Sequence, residues 1–262
     1  MAKIVPLFSS SRGNSYYIKG NDEAILVDAG RNCKQLELSL RQNEIDTKTI
    51  KAIFVTHEHT DHCSALKVFA KRYDLPIYAS KGTLEALVNG GKVDKNARLV
   101  EIADEVTLGD TLIKRVLTSH DAIESCGYHI TTADGRKCSV VTDTGFLTND
   151  ALTALKNSNA VVIESNHDVD MLKRGPYPYI LKQRVLSMTG HLSNADCAKV
   201  LPQLLESGVT HFVLSHLSQE NNTPRIALDT SVATLNIFKA VRDSDYTIMT
   251  APVETNGKSV IF

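Results

Sequence analysis

The feature that most constrains this chain is a dense cluster of histidine and aspartate side chains directly after an apolar run. Residues 51–55 read Lys-Ala-Ile-Phe-Val, and the sequence continues Thr-His-Glu-His-Thr-Asp-His. This pattern predicts a strand that ends in a loop, and such loops commonly carry functional groups. In an extended segment the side-chain direction repeats every two residues, so His57 and His59 point the same way. Asp61 and His62 then fall at the start of a helix and face a second position close by.

Imidazole and carboxylate donors without sulfur favour an ion in a reactive site over a closed structural zinc site. The five cysteines agree with this interpretation, because they are widely spaced and include no C-x-x-C pair. They fit neither a disulfide framework nor a thiolate cage. We therefore interpret them as buried, reduced thiols that pack as small apolar residues. Cys63, which follows His62, is expected to pack in the first turn of a helix.

The rest of the chain alternates between two kinds of segment. Short β-branched runs predict strands, and stretches with apolar residues at three- and four-residue spacings predict helices. Hairpins interrupt the pattern, so we expect both parallel and antiparallel pairing in a layered α/β sandwich. No linker or low-complexity tract divides the chain, which favours one domain over 1–262. The predicted strands are 3–7, 15–18, 24–27, 51–55, 77–79, 111–117, 128–131, 139–142, 160–164, 211–214 and 259–262. The predicted helices are 33–43, 64–72, 82–88, 149–155, 195–206 and 232–241.

Composition excludes several function classes. The chain is 42% hydrophobic and 23% charged, which is typical of globular proteins and not of disordered ones. Lys and Arg total 29 against 30 for Asp and Glu, so no global basic field attracts polyanions, and any nucleic-acid contact must be local. No apolar stretch approaches the roughly 20 residues of a bilayer span, and the N-terminal sequence lacks the apolar region of a secretory signal. We therefore expect a cytoplasmic protein with no membrane partner and no obligate protein partner.

The arrangement His-x-His-x-Asp-His at 57–62, together with Leu-Val-Asp-Ala-Gly at 26–30, resembles the metallo-β-lactamase-fold hydrolases. Three later residues, His120, Asp143 and His216, each lie just past an apolar run. They are similar to the third, fourth and fifth metal motifs of that superfamily. The resemblance covers most of the chain and implies an αββα sandwich with two mixed sheets and flanking helices.

The candidate ligands outnumber the four that a tetrahedral ion takes. The resemblance therefore implies two divalent metal ions, Zn²⁺ or Mn²⁺, that share one carboxylate. The first ion takes His57, His59, His120 and Asp143, and the second takes Asp61, His62, Asp143 and His216. Asp28 matches a position that supports the ligand loop by hydrogen bonding.

Such a pair of ions supports hydrolysis by a bridging hydroxide, but the fold alone leaves lactams, thioesters, lactones and phosphodiesters open as substrates. The stretch 189–196 favours phosphodiesters. It places His191 before a predicted helix, with Ser193 as N-cap and Asp196 in a capping-box position, and the free N–H groups there would bind a phosphate. It also resembles the histidine motif of the nuclease branch. This resemblance implies that His191 protonates the leaving group and that Glu164 orients His191. The catalytic candidates are Asp61, His191 and Glu164.

A basic segment at 173–184 supplies further candidate contacts. It reads Lys-Arg-Gly-Pro-Tyr-Pro-Tyr-Ile-Leu-Lys-Gln-Arg, and we expect it to be a loop. Its cations can neutralise phosphates, and its tyrosine rings can take a splayed base. The candidate substrate-binding residues are Arg174, Lys182, Asn166, His167 and Ser193.

The stretches 10–15, 159–172 and 187–194 closely resemble the YycJ/WalJ-like bacterial proteins, a subgroup associated with DNA exonuclease activity. This resemblance implies a 5′-to-3′ exonuclease whose partner is nucleic acid, specifically DNA. The separations between the third, fourth and fifth metal motifs are short. They leave no room for the arm that grips tRNA or for the extra domain of the large RNA-cleaving branch, so tRNA maturation and mRNA degradation are disfavoured.

Two other functions stay open. A thioester or lactone hydrolase of the glyoxalase II type would not need His191 and would give the segment 173–184 no role. A non-catalytic, metal-binding regulatory protein is the third possibility. The full set of ligands argues against it, because degenerate sites usually lose some of theirs.

Overall fold

Two seven-stranded sheets form the centre of the molecule in the computed structural model, which describes residues 1–21 and 23–262. The first sheet has the order β14-β1-β2-β3-β4-β5-β6. Its strands are β1 Lys3–Ser10, β2 Gly13–Lys19, β3 Ala24–Val27, β4 Ile50–Phe54, β5 Ile77–Ala79, β6 Leu99–Glu101 and β14 Val260–Ile261. The second sheet has the order β13-β12-β11-β10-β9-β8-β7. Its strands are β7 Glu105–Leu108, β8 Thr111–Leu117, β9 Cys126–Thr131, β10 Lys137–Val141, β11 Ala160–Glu164, β12 His211–Ser215 and β13 Thr247–Thr250.

Both sheets are mixed, as predicted. In the first sheet, β3 to β6 pair in parallel and the β14-β1-β2-β3 pairs are antiparallel. In the second sheet, β10 to β13 pair in parallel and the β7-β8-β9-β10 pairs are antiparallel. The carboxyl ends of β10, β11, β12 and β13 therefore lie at one edge of the second sheet, where α/β folds commonly bind ligands.

Helices cover the outer face of each sheet. They are α1 Cys33–Gln42, α2 Thr60–Cys63, α3 Leu66–Tyr73, α4 Lys81–Asn89, α5 Asn149–Lys156, α6 Val169–Arg174, α7 Tyr179–Val185, α8 Asn194–Glu206 and α9 Pro224–Ile237. A 3₁₀ turn spans Thr47–Thr49. Side chains of β4 alternate between layers, with Ala52 and Phe54 in the core between the sheets and Ile53 in the core under α1, α3 and α4. A third core packs α5, α8 and α9 on the second sheet. The layers form the predicted αββα sandwich.

Three local predictions were wrong. The segment 173–184 is not a loop, because α6 ends within it and α7 occupies its second half. Helix α7 has a weak sequence signal, since Tyr179 and Ile180 are exposed and no apolar stripe marks a buried face. The last helix begins at Pro224, capped by the Thr223 hydroxyl, well before the predicted start at 232. The short strands β6, β7 and β13 were not predicted.

The cysteine prediction is confirmed. All five thiols are free and buried. Cys63 ends α2, and its Sγ donates to the carbonyl oxygens of Glu58 and His59. Burial raises the pKa of this thiol to about 11, so it stays protonated at neutral pH. Of the helices described, none is long and apolar enough to cross a membrane.

Candidate metal centre and active site

The candidate site lies where strands end. Asp28 directly follows β3, His57 lies three residues beyond β4, and Asp143 lies two residues beyond β10. Glu164 is the last residue of β11, and His216 directly follows β12. Neighbouring parallel strands end at the same edge of a sheet, so the topology brings groups that are distant in sequence into one place.

Three of these residues adopt a left-handed backbone. The φ angles are 64° at Asp28, 55° at Asp143 and 53° at His216. Residues other than glycine rarely adopt positive φ, and aspartate and histidine are among those that tolerate it best. In each case the chain turns sharply within two residues of the end of the strand, at the residue whose side chain joins the site.

The structure brings all the predicted metal ligands together. Donor atoms within 4.8 Å of one another form four overlapping groups. The groups are His57, His59 and His120; Asp61, His62 and His216; His57, His62 and Asp143; and Asp143, Glu164, His191 and His216. The first two groups correspond to the two sides of the predicted centre, and Asp143 shares a group with members of both sides.

Unpaired buried atoms at the same place fit a bound cation. Among the described residues, His57 Nε2, Asp143 Oδ2 and His216 Nε2 are buried and have no hydrogen-bond partner. Buried polar atoms are nearly always bonded, so three unpaired ones within a cluster of imidazoles and carboxylates indicate a ligand set. Nitrogen and oxygen donors of this kind suit zinc or manganese.

The electrostatics also favour cation binding. Burial, reinforced by the neighbouring imidazoles, lowers the pKa of His57 far below its usual value, so the ring is in the neutral form that binds metals. Burial alone would raise the pKa of Asp61, but nearby His62 and His216 outweigh it and lower the pKa. The Asp61 carboxylate is therefore ionised at neutral pH.

Asp28 is bonded to two residues of the ligand loop. Its Oδ2 lies 2.7 Å from His62 Nδ1, and its Oδ1 accepts a hydrogen bond from the Thr56 N–H at 2.8 Å. This contact leaves Nε2 of His62 facing Asp61 and Asp143, each at 3.3 Å. A partner on one ring nitrogen fixes the orientation of the other, which is the usual support for a metal-binding histidine.

The start of β2 adds a residue that the sequence analysis did not assign to the site. The Asn14 Nδ2 atom lies 3.1 Å from Asp61 Oδ2 and 3.0 Å from His62 Nε2. Gly30 allows this approach, because a Cβ there would lie only 2.1 Å from the Asp61 carbonyl oxygen. Asn14 falls in the stretch 10–15 that carried the family resemblance, but it belongs to no metal motif.

A buried carboxylate holds the candidate acid. Nδ1 of His191 lies 2.8 Å from Oε1 of Glu164, while Glu164 Oε2 accepts from the backbone N–H groups of Thr144 at 2.9 Å and Leu192 at 3.1 Å. Burial alone would raise the pKa of Glu164, but His191 and His216 outweigh it and lower the pKa. An ionised carboxylate in this position holds the His191 ring in one orientation through Nδ1.

Helix α7 forms one rim of the site. Its last residue, Val185, accepts a hydrogen bond from the His191 N–H at 3.0 Å. The preceding residue, Arg184, binds the Asp121 carboxylate through two contacts, Nε to Oδ2 at 2.5 Å and Nη2 to Oδ1 at 3.1 Å. Asp121 Oδ1 in turn lies 3.4 Å from Nε2 of His120. Arg184 lay in the predicted basic segment, but it was not singled out as a contact.

Three predicted substrate contacts are more deeply buried than the sequence suggested. Asn166, His167 and Ser193 are only 7%, 1% and 4% exposed. The Asn166 amide donates to the His216 carbonyl at 2.8 Å, and Ser193 caps α8 by accepting from the Asp196 N–H at 3.1 Å. The Asn166 amide and the Ser193 hydroxyl are thus already bonded to protein, so these two side chains shape the site from inside. Neither ring nitrogen of His167 has a partner among the described residues.

The N-terminus of α8 is also less open than expected. The Asn194 N–H donates to the His167 carbonyl at 2.9 Å, and the Ser193 hydroxyl oxygen accepts a hydrogen bond from the Asp196 N–H. Asp196 accepts the Ser193 hydroxyl at 2.7 Å, in place of the backbone N–H that a capping box requires. The phosphate site predicted on free N–H groups at this position is therefore withdrawn.

The two predicted cations in the segment 173–184 have different surroundings. The Arg174 side chain is 83% exposed and lies 4.0 Å from Asp170. Lys182 is half-buried and donates to the Lys173 carbonyl at 2.8 Å. Both lie on or next to the helices that form the rim.

Comparison with known proteins agrees with this geometry. The sequence model of the Metallo-beta-lactamase superfamily matches residues 11–177. The chain is 37% identical over 223 residues to Exodeoxyribonuclease YycJ of Bacillus anthracis, covering 84% of each protein. It is 36% identical over 230 residues to Exodeoxyribonuclease WalJ of Streptococcus pneumoniae serotype 2, covering 86% of this chain and 85% of that one. The crystal structure of the metallo-beta-lactamase fold protein YhfI from Bacillus subtilis superposes over the full length of both chains, with a TM-score of 0.72 and 17% identity.

Proposed function

This chain belongs to the metallo-beta-lactamase superfamily of metal-dependent hydrolases, and we propose that it is a two-metal phosphodiesterase that degrades DNA from the 5′ end. The observation that carries the proposal is the His191–Glu164 pair, 2.8 Å apart and within the same donor cluster as Asp143 and His216. A metal cluster alone fits any hydrolase of this fold, whereas a buried carboxylate that orients a histidine suits a leaving group that needs a proton. The similarity to YycJ and WalJ supports DNA as the substrate and an exonucleolytic mode.

In this proposal the two ions are zinc or manganese. His57, His59, His120 and Asp143 hold one, and Asp61, His62, Asp143 and His216 hold the other. When bound, the ions supply charge stabilisation at the phosphoryl oxygens and a more acidic water. Besides binding metal, Asp61 orients the attacking water, because its ionised carboxylate can accept a hydrogen bond from that water.

His191 completes the reaction. Its Nδ1 is engaged by Glu164, so Nε2 is the nitrogen that can transfer a proton to the departing sugar oxygen. The side chain is partly exposed, whereas Glu164 is buried, so the ring can reach substrate while its partner stays fixed. Glu164 acts as the positioning carboxylate that keeps the ring in one tautomer.

Cations at the α6–α7 rim are proposed to contact the DNA backbone. Arg174 and Lys182 keep this role from the sequence analysis, whereas the Arg184 guanidinium is already paired with Asp121 beside His120. Local cations of this kind suffice for binding in a chain with a formal charge of −1.

The test uses protein reconstituted separately with zinc and with manganese. It is incubated with 5′-labelled and 3′-labelled duplex DNA, single-stranded DNA and RNA, beside an S-lactoylglutathione assay. We expect labelled mononucleotide as the first product from the 5′ label and a ladder of shortening fragments from the 3′ label. Thioester hydrolysis without DNA degradation would overturn the proposal and favour the glyoxalase II type of activity. The reverse labelling pattern would retain the exonuclease but refute the direction.

A further inference from the structure

A large cleft opens beside the candidate site at the carboxyl ends of β12 and β13. Its volume is about 600 Å³, and its walls come from the segment after β12, the start of α9 and the segment after β13. This volume falls in the range of pockets that hold small molecules or a nucleotide unit.

The cleft shares its wall with the candidate metal centre. Leu217 and Ser218, which line it, directly follow His216, and the Ser9 hydroxyl in the same wall accepts the His216 N–H at 2.7 Å. Asn222 in the lining donates to the Ser165 carbonyl at 2.9 Å, next to Glu164. Since neighbouring strands lie roughly 5 Å apart, the cleft lies about 5–10 Å from the end of β11. That distance is comparable with one or two nucleotide steps along a strand.

The charge of the lining suits an anion. Within the described part of the chain, its charged side chains are Arg242 and Lys258, and it contains no carboxylate. The Arg242 guanidinium has an acidic neighbour outside the lining, with Nε 3.8 Å from Asp243, but this carboxylate is largely exposed and compensates little of the charge.

A second cation-lined cavity provides the contrast. It lies against α3 and is lined by Lys67, Lys71 and Arg98, but also by Asp74 and Asp94. There the Lys71 ammonium lies 3.0 Å from Asp94 and the Arg98 guanidinium 3.4 Å from Asp74. Its cations face carboxylates of the same lining, whereas the carboxylate next to Arg242 lies outside the lining of the cleft near His216.

The cleft also has the mixed lining that a nucleotide needs. Met249, Pro252 and Val253 offer apolar surface, while the side-chain amides of Gln219 and Asn256 offer hydrogen-bonding groups. Proteins that bind single strands combine cations for the backbone with surfaces on which bases pack. The lining thus combines cations, apolar surface and amides and contains no carboxylate. This combination matches a phosphate with its attached base.

We propose that this cleft binds the portion of the DNA strand adjacent to the scissile phosphate, with Arg242 and Lys258 contacting its backbone. The inference rests on the proposed nuclease function and adds a strand-binding subsite to it. The strand would cross the carboxyl edge of the second sheet from the donor cluster towards β13.

The first test measures binding in EDTA, so that cleavage does not interfere. The probe is a fluorescent single-stranded DNA 12-mer with a 5′-phosphate. The double variant Arg242→Gln/Lys258→Gln is expected to bind roughly tenfold more weakly at low salt, with a salt slope smaller by about 1.4, since each lost phosphate contact accounts for about 0.7. The matched control, Lys67→Gln/Lys71→Gln, removes the same charge from the other cavity and is expected to bind like the wild type. Lys258→Glu alone provides a second variant if the loss of Arg242 impairs folding.

The second test separates this proposal from the proposed function. Thymidine 5′-(p-nitrophenyl phosphate) contains a phosphodiester but no neighbouring nucleotide. The ratio of kcat/KM for the 12-mer to kcat/KM for this ester is expected to fall about tenfold in the cleft variant and to hold in the control. Hydrolysis of neither substrate by the wild type would refute the nuclease. Hydrolysis of both, with wild-type 12-mer affinity and ratio in the cleft variants, would overturn the cleft alone.

Discussion

His191 and Glu164 form a hydrogen-bonded pair, with Nδ1 and Oε1 2.8 Å apart, in which the carboxylate is fully buried and the imidazole is 18% exposed. The exposed partner can meet substrate, and the buried partner cannot. Under the proposed function, this asymmetry suits the histidine to proton transfer and the carboxylate to orientation.

Replacing the histidine should therefore separate chemistry from metal binding. In His191→Ala we expect turnover of DNA to fall roughly 10²-fold or more, because a positioned acid contributes about that much. Metal content, measured by elemental analysis, should match the wild type. Unchanged turnover would remove His191 from the mechanism, and loss of metal would make it a ligand instead.

Asp28 offers a test of support from outside the ligand set. Asp28→Asn should weaken metal affinity by roughly 10- to 100-fold, because His62 loses the carboxylate that orients it. Competition with a fluorescent chelator measures the change. Asp110→Asn, at the exposed turn between β7 and β8, removes a carboxylate elsewhere and should leave the affinity intact. Equal affinities in the two variants would contradict this role.

The buried His167 should make stability depend on pH. Burial lowers its pKa to about 4, whereas an unfolded histidine titrates near 6.5. The unfolded state therefore binds the proton first, and the free energy of unfolding falls as the pH drops from about 6.5 to 4, by up to about 3 kcal/mol. Urea unfolding in EDTA at pH 8, 6 and 5 measures this loss. His167→Phe should show a shallower decline, and an identical decline would show that this ring does not cause it.

The rim cations predict a particular salt dependence. Charge reversal in Arg174→Glu/Lys182→Glu should weaken DNA binding and reduce the salt slope by about 1.4 for single strands, if both groups contact phosphates. Lys34→Glu/Lys48→Glu changes the net charge equally at exposed positions on the side of the first sheet. Equal slopes in both variants would leave Arg174 and Lys182 as surface residues without a role in binding.

The sequence was most informative where function is local. The spacing of His57, His59 and Asp61 and the apolar runs before Asp143 and His216 predicted the donor cluster, because each run ends as a strand whose next residues turn into the site. The alternation also predicted mixed strand pairing, whereas the arrangement in two sheets came from the family resemblance. These features depend on residues that are close together in the chain.

The errors concern partners that only the fold brings together. Asn166 was predicted to contact substrate, but its amide bonds to the His216 carbonyl, which lies 50 residues away in sequence. The Asn14 contact with Asp61 spans 47 residues and had no signal of its own. Local pattern also could not show that the Asn194 N–H would be taken by His167. Polar side chains near a motif can equally well be bonded to protein, and composition does not distinguish these cases.

The left-handed backbone at Asp28, Asp143 and His216 has a consequence for attempts to engineer this protein. Each such residue costs of order 1 kcal/mol or more relative to a relaxed conformation. A selection for stability alone should therefore yield substitutions at these three positions, with glycine or asparagine favoured. Variants that become more heat-resistant by this route would bind metal more weakly. Higher thermal stability at these three positions would therefore lower turnover.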